Sequence, residues 1–138
     1  MKANPVVWFE IYVQDMARAR KFYETVFQCT LEPLAAPEQA ASKPAAPECE
    51  TGGMEMLSFP MDMDAPGTGG MLVRMDEVSS GGGGTLVYFG CEDCAVEQSR
   101  VEAAGGQVHK PKFAIGPYGF CALVVDTEGN CIGLHSMQ

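Results

Sequence analysis

Residues 6–15 read VVWFEIYVQD and residues 85–93 read TLVYFGCED. Each is a short run of β-branched, aromatic and other apolar residues that gives way to a polar pair, Gln14-Asp15 or Glu92-Asp93, and then to a stretch with helical spacing. After the first, Met16, Ala19, Tyr23 and Val26 recur at the interval that gives a helix one buried stripe, with Asp15 as its N-cap. After the second, Asp93 caps a helix over Cys94 to Ala104, and Gly105-Gly106 stops it where a left-handed residue is needed. The chain therefore states one supersecondary unit twice. Two such copies pack about a pseudo-two-fold axis, and the groove between them is the natural place for a ligand.

Working outward, each half completes itself with three strands. Cys29 to Leu34, Gly53 to Phe59 and Gly70 to Met75 follow the first helix, and Gln107 to Lys112, Phe120 to Val125 and Cys131 to Ser136 follow the second. Residues 35–50, AAPEQAASKPAAPECE, hold three prolines and no clear period, so they read as a long loop. Gly81 to Gly84 is a glycine tether between the halves. Pro117-Tyr118-Gly119 marks a turn ahead of the seventh strand, and Asp126 to Asn130 (DTEGN) is a tight turn whose Gly129-Asn130 pair supplies positive-φ residues. The expected organisation is one domain over 1–138: module one at about 4–76, a tether at 77–84 and module two at about 85–136.

Composition narrows the function classes. The chain has 138 residues, 46% of them apolar and 20% charged, enough for one domain with a real core. A formal charge of −9 opposes the phosphate attraction that drives nucleic-acid binding. No apolar run is long enough to span a membrane and the N-terminus lacks a secretory pattern, so a cytoplasmic location is expected. In a reducing compartment Cys29, Cys91, Cys121 and Cys131, in or beside apolar β-prone runs, read as small hydrophobes rather than a disulfide framework.

Two βαβββ units, an opening FEIYVQDMARARKFYETVF and a closing DTEGNCIGLHS together resemble the vicinal oxygen chelate superfamily, which contains glyoxalase I, extradiol dioxygenases and the bleomycin and fosfomycin resistance proteins. The resemblance covers nearly the whole chain. It implies an α+β fold whose two modules form a curved, mixed-sheet half-barrel groove, and a homodimer, because members commonly pair half-barrels across a two-fold axis. It leaves the chemistry open, since the superfamily spans isomerases, dioxygenases, thiol transferases and drug-binding proteins.

The resemblance also locates four metal-ligand slots, which metal-binding members fill with His, Glu or Gln. One lies seven residues before the capping Asp of each half and one near the middle of each half's last strand. Here they fall on Trp8, Leu86, Val73 and Gly133, none of which offers a divalent ion a donor. No metal and no cofactor are expected.

Side chains two apart on a strand share a face, so Trp8, Glu10 and Tyr12 look one way, as do Leu86 with Tyr88 and Gly133 with His135. In the superfamily's half-barrel, Glu10 would lie beside Met75, Tyr88 beside His135, and Glu10 opposite Tyr88. Glu10, Tyr88 and His135 are thus candidate catalytic residues, able to act as base, hydrogen-bond donor and acid. Trp8, Glu10, Tyr12, Met75, Leu86, Tyr88, Tyr118, Gly133 and His135 are candidate ligand-binding residues. Each has a plainer reading: His135 near the C-terminus suits a surface or satisfied histidine. Glu10 is the stronger candidate, because Phe9 and Ile11 flank it and a carboxylate in an apolar strand is costly without a wet face or a purpose.

Cys91 and Cys94 have CxxC spacing, but Glu92 and Asp93 oppose a thiolate there and no second pair exists for zinc. Six methionines between Met54 and Met75 give the middle strands a soft surface, which suits a pocket or simply fills a core. His109 reads as exposed, and Phe113 to Gly119 (FAIGPYG) as a lid or a turn. The leading expectation is a metal-free protein that binds a small, partly apolar organic molecule in the groove. The alternatives are a metal-independent lyase or isomerase with Glu10 as base, and a partner-binding regulatory subunit.

Overall fold

The computed structural model describes residues 8–34, 54–82 and 86–138. Its elements run β1 (Phe9–Tyr12), α1 (Met16–Phe27), β2 (Glu32–Pro33), β3 (Met54–Ser58), β4 (Gly70–Met75), β5 (Val87–Gly90), α2 (Cys94–Val101), β6 (Gln107–Ala114), β7 (Phe120–Val125) and β8 (Cys131–Ser136), with a 3₁₀ turn at Gly116–Tyr118. The strands form two four-stranded sheets with the same order, β1-β4-β3-β2 and β5-β8-β7-β6. In each, the unit's first and last strands run parallel and the remaining neighbours antiparallel. This is the expected α+β fold of two βαβββ units with open, curved sheets.

Local chemistry accounts for both helices. Asp15 and Asp93 are extended caps whose carboxylates accept from Arg18 N and Ala95 N, satisfying amides the first turn leaves free. Lys112 adds an ion pair to Asp93 at 2.7 Å. The stripe of α1 is wider than four residues, since Phe22 is also fully buried. Gln28 ends α1 in the left-handed region at φ 51°. α2 stops at Val101 rather than Ala104. Gly105 there takes φ +94°, and a side chain at Gly106 would meet Phe22 and the Val125 carbonyl at 2.5 and 2.6 Å.

Other expectations shift. β2 shrinks to two residues, with Pro33 on an edge where its missing N–H costs little. β6 extends to Ala114, so all of the FAIGPYG segment except Ile115 and Gly119 belongs to the strand or the 3₁₀ turn. In the DTEGN turn only Gly129 has positive φ; Asn130 serves through its side chain. Val6 and Val7, the loop at 35–50, Gly53, Gly83, Gly84 and Thr85 lie outside the described residues.

One core serves both modules. Ile11, Val13, Leu57 and Leu72 of the first sheet join Ala122, Val124, Ile132 and Leu134 of the second around the buried faces of α1 and α2. At its centre Phe9, Tyr23, Phe27, Phe59 and Phe89 meet edge-on, stacked or tilted, with centroids 4.6–6.2 Å apart. With the helices and core on one side of the sheets, the residues that alternate with the core set form their open faces.

Candidate functional site

A cleft of about 350 Å³ opens where the modules meet. Glu10, Ile11 and Tyr12 of β1 form one wall, Val87, Cys131 and Ile132 the other, and Ser79, Gly81, Gly82 and Asn130 close it. Asn130 ties these parts together. Its amide donates to the Tyr12 carbonyl at 2.9 Å and to Asp126 at 3.0 Å, while its oxygen accepts from Gly81 N at 2.7 Å.

Behind Asn130 the DTEGN turn is a buried polar knot. Asp126 accepts the Tyr23 hydroxyl at 2.8 Å and the Glu128 and Asn130 amides. Burial and the neighbouring Asp126 charge push the Tyr23 phenol well above its usual range. The fully buried Glu128 carboxylate accepts from the Gln14 and Asp15 amides, the Thr127 hydroxyl and two Arg18 nitrogens. Burial alone would raise its pKa; these donors overcome that and hold it at about 2. The turn therefore anchors the start of α1 and the end of β1, and so positions one wall of the cleft.

On that wall the Tyr12 hydroxyl donates to the Glu10 carboxylate at 2.7 Å. The hydrogen bond to Glu10, helped by burial and by the carboxylate's charge, raises the Tyr12 phenol above its ordinary value. Tyr12 is thus a neutral donor that fixes one carboxylate oxygen and leaves the other to accept from a ligand. Glu10 itself is exposed.

The register corrects two neighbours. Glu10 lies beside Met71, which Ser58 flanks on its other side, and not beside Met75, which pairs with Met54 further along the sheet. Tyr12 lies beside Val73, which Met56 flanks on its other side. The open face of the first sheet is thus carboxylate, phenol, valine and thioethers.

The second sheet carries Tyr88, Gly133 and His135 on its open face, outside the lining of the cleft. Tyr88 sits beside Gly133, and its ring occupies the space a side chain at 133 would need. His135 lies opposite Gly90, one row further along. Its Nε2 is 2.7 Å from the Tyr118 carbonyl; since a carbonyl only accepts, Nε2 carries the proton. That bond joins His135 to the 3₁₀ turn, whose Tyr118 ring is 71% exposed. Leu86 is partly exposed ahead of β5.

Trp8 leaves the group. Together with Met61, Met63 and the rest of the 60–69 segment it lines a separate hollow of about 450 Å³. Of the nine predicted ligand-binding residues, the cleft brings together Glu10 and Tyr12.

The four slots do not fit a divalent metal. Val73 is fully buried between Tyr12 and Met56, Gly133 lies under Tyr88, and Trp8 and Leu86 are apolar. The CxxC pair is equally unsuited to redox work. Burial, followed by the Glu97 charge, pushes the Cys91 thiol up to about 12, and Cys94 is fully buried; both are free.

Sequence reasoning missed Ser79, Gly81, Asn130 and Cys131. The available signal was the Asn after Gly129, a side chain able to bond two backbones at once, which was read for its φ preference instead.

Comparison with known proteins bears on the fold. Residues 6–32 match a family model described as bleomycin resistance protein-like N-terminal, which covers the first strand and helix. No curated protein sequence matches. Among solved structures, a glyoxalase-related enzyme from Fulvimarina pelagi is 17% identical with a TM-score of 0.63, covering 97% of this chain and 88% of its own. A glyoxalase/bleomycin resistance protein/dioxygenase family enzyme from Burkholderia phytofirmans is 14% identical, with a TM-score of 0.58 and coverage of 95% and 97%. Glyoxalase I from Zea mays is 18% identical at a TM-score of 0.66; the match covers 96% of this chain but 46% of the maize protein. At these identities the likeness establishes the fold.

Proposed function

We propose that this chain, which has the vicinal oxygen chelate fold, is a metal-free binding protein that holds a small, partly apolar organic molecule between its modules. The observation that carries the reading is the cleft whose lining combines Glu10, oriented by Tyr12, with the backbone-rich segment of Gly81, Gly82 and Asn130. Such a site offers a carboxylate acceptor, a fixed phenol and apolar surface from the half-buried Val87 and Cys131, a combination that suits a neutral or cationic ligand. No helix among the described residues is long and apolar enough to cross a membrane.

The ligand-slot residues support the metal-free part. Elemental analysis is expected to find no stoichiometric divalent ion, and chelator to leave the melting temperature unchanged. A homodimer belongs to the same reading. Tyr88, Met54 and Leu86 are 49%, 46% and 37% exposed on or beside the open faces, and a second copy would cover them.

A second reading, a metal-independent lyase or isomerase with Glu10 as base, is favoured by the Glu10–Tyr12 pair itself. Turnover separates the two. With a ligand found by thermal-shift screening, a binding protein gives one saturating event in calorimetry and unchanged ligand afterwards. An enzyme gives many product molecules per chain, and Glu10→Gln abolishes the rate while affinity survives. Product formation of that kind would replace the binding reading.

A further inference from the structure

The hollow around Trp8 is physically separate from the inter-module cleft, and the two share no lining residue. It is built by the segment PMDMDAPGTGG, residues 60–70, which leaves β3 and returns into β4. Three features give it chemistry. The first is aromatic: Trp8, the chain's single tryptophan, closes with the Met61 thioether over Gly69, where an added Cβ would stand 3.0 Å from the indole and 3.3 Å from the sulfur. Glycine at 69 is what lets ring and thioether meet over the backbone.

The second is soft apolar surface. Met63 is 86% exposed and Met61 41%, beside Pro60 and Pro66, so thioethers and rings face outward where core packing does not require them. The third is charge. Among the described residues the one titratable lining group is Asp62, an exposed carboxylate whose Oδ1 accepts from Asp64 N, and none of the described Lys, Arg or His residues lines the hollow. An indole face, polarisable sulfur and an uncompensated carboxylate attract one class of guest: a small body with a positive charge beside an aromatic ring.

We propose that the Trp8 hollow is a second binding site, selective for small aromatic cations of the quaternary-ammonium type. It differs from the cleft in composition as well as place, since the cleft presents a phenol-bound carboxylate and backbone, whereas the hollow presents an indole and thioethers. Anions of the same size are disfavoured by Asp62, by the adjacent Asp64 and by the chain's net charge of −9.

The single tryptophan supplies a reporter, because the indole N–H of Trp8 gives one resolved cross-peak in a ¹⁵N-labelled sample. Titration of the whole protein with benzyltrimethylammonium chloride is expected to move that peak along a saturable curve, and sodium phenylacetate to bind at least tenfold more weakly. Asp62→Asn should weaken the cation about threefold and Glu10→Gln should leave it unchanged. Trp8→Phe, which keeps an aromatic ring if alanine perturbs folding, should weaken it as well, read from saturation transfer on the probe itself. Three outcomes overturn the proposal: no saturable shift at the probe's solubility limit, equal affinity for the anion, or loss of cation binding on Glu10→Gln, which would make hollow and cleft one site. A failed cleft ligand screen leaves this titration untouched, so the two readings fail separately.

Discussion

At the scale of single residues, Glu128 and Gly133 show how contacts outside the lining of the cleft hold the two sheets in shape. Glu128 is held at about 2 in the folded chain against an ordinary value of 4.5, so its contribution is complete above pH 4.5 and is lost as pH falls toward 2. That shift corresponds to about 3 kcal/mol. Glu128→Gln is expected to destabilise the protein by roughly that amount at pH 7 and to flatten the acid limb of its stability curve between those values, measured by urea unfolding across pH. An unchanged acid limb would mean the knot contributes nothing. Gly133→Ala places a methyl group where the Tyr88 ring lies. The expected cost is about 1–3 kcal/mol, with displaced Tyr88 ring resonances in NMR spectra. Sequence located Gly133 as a slot without a donor, but the ring above it depends on strand register, which no local pattern reports.

Among elements, the DTEGN turn decides more than a hairpin needs. It binds the end of β1, the start of α1 and the segment before β5 in one network of donors and acceptors, most of them half-buried. Asn130→Ala removes bonds to the Tyr12 carbonyl and the Gly81 amide. It should cost about 1–3 kcal/mol and speed amide exchange at Gly81, while Asn130→Asp keeps the acceptor and loses the donor. Equal exchange in wild type and Asn130→Ala would show that the turn does not hold the cleft wall. The strands and helices were legible because their signals are local: alternation in VVWFEIYV, a stripe from Met16 to Val26, caps at Asp15 and Asp93. The knot was not, since Glu128 meets Gln14, Asp15 and Arg18 more than a hundred residues away.

For the whole molecule, the repeat made the two-module fold legible, but it did not report the hydrogen-bond partners of the candidate site residues. Pseudo-symmetry suggested that Glu10, Tyr88 and His135 converge; Glu10 instead takes its phenol from Tyr12, and His135 bonds the Tyr118 carbonyl. The exposed side chains on the open faces argue for a partner copy, and light scattering at micromolar concentration is expected to give twice the chain mass of 14.8 kDa. A monomer would leave those faces for another role. The central claim is that the inter-module cleft is where a ligand sits. Its most direct test is amide chemical-shift mapping of the labelled protein against small organic molecules found by thermal shift. The predicted result is a set of saturable shifts concentrated at Glu10, Tyr12, Gly81, Val87, Asn130 and Cys131, with an affinity that Glu10→Gln changes at an unaltered melting temperature. Ligands that bind while all six of those amides stay still would contradict it.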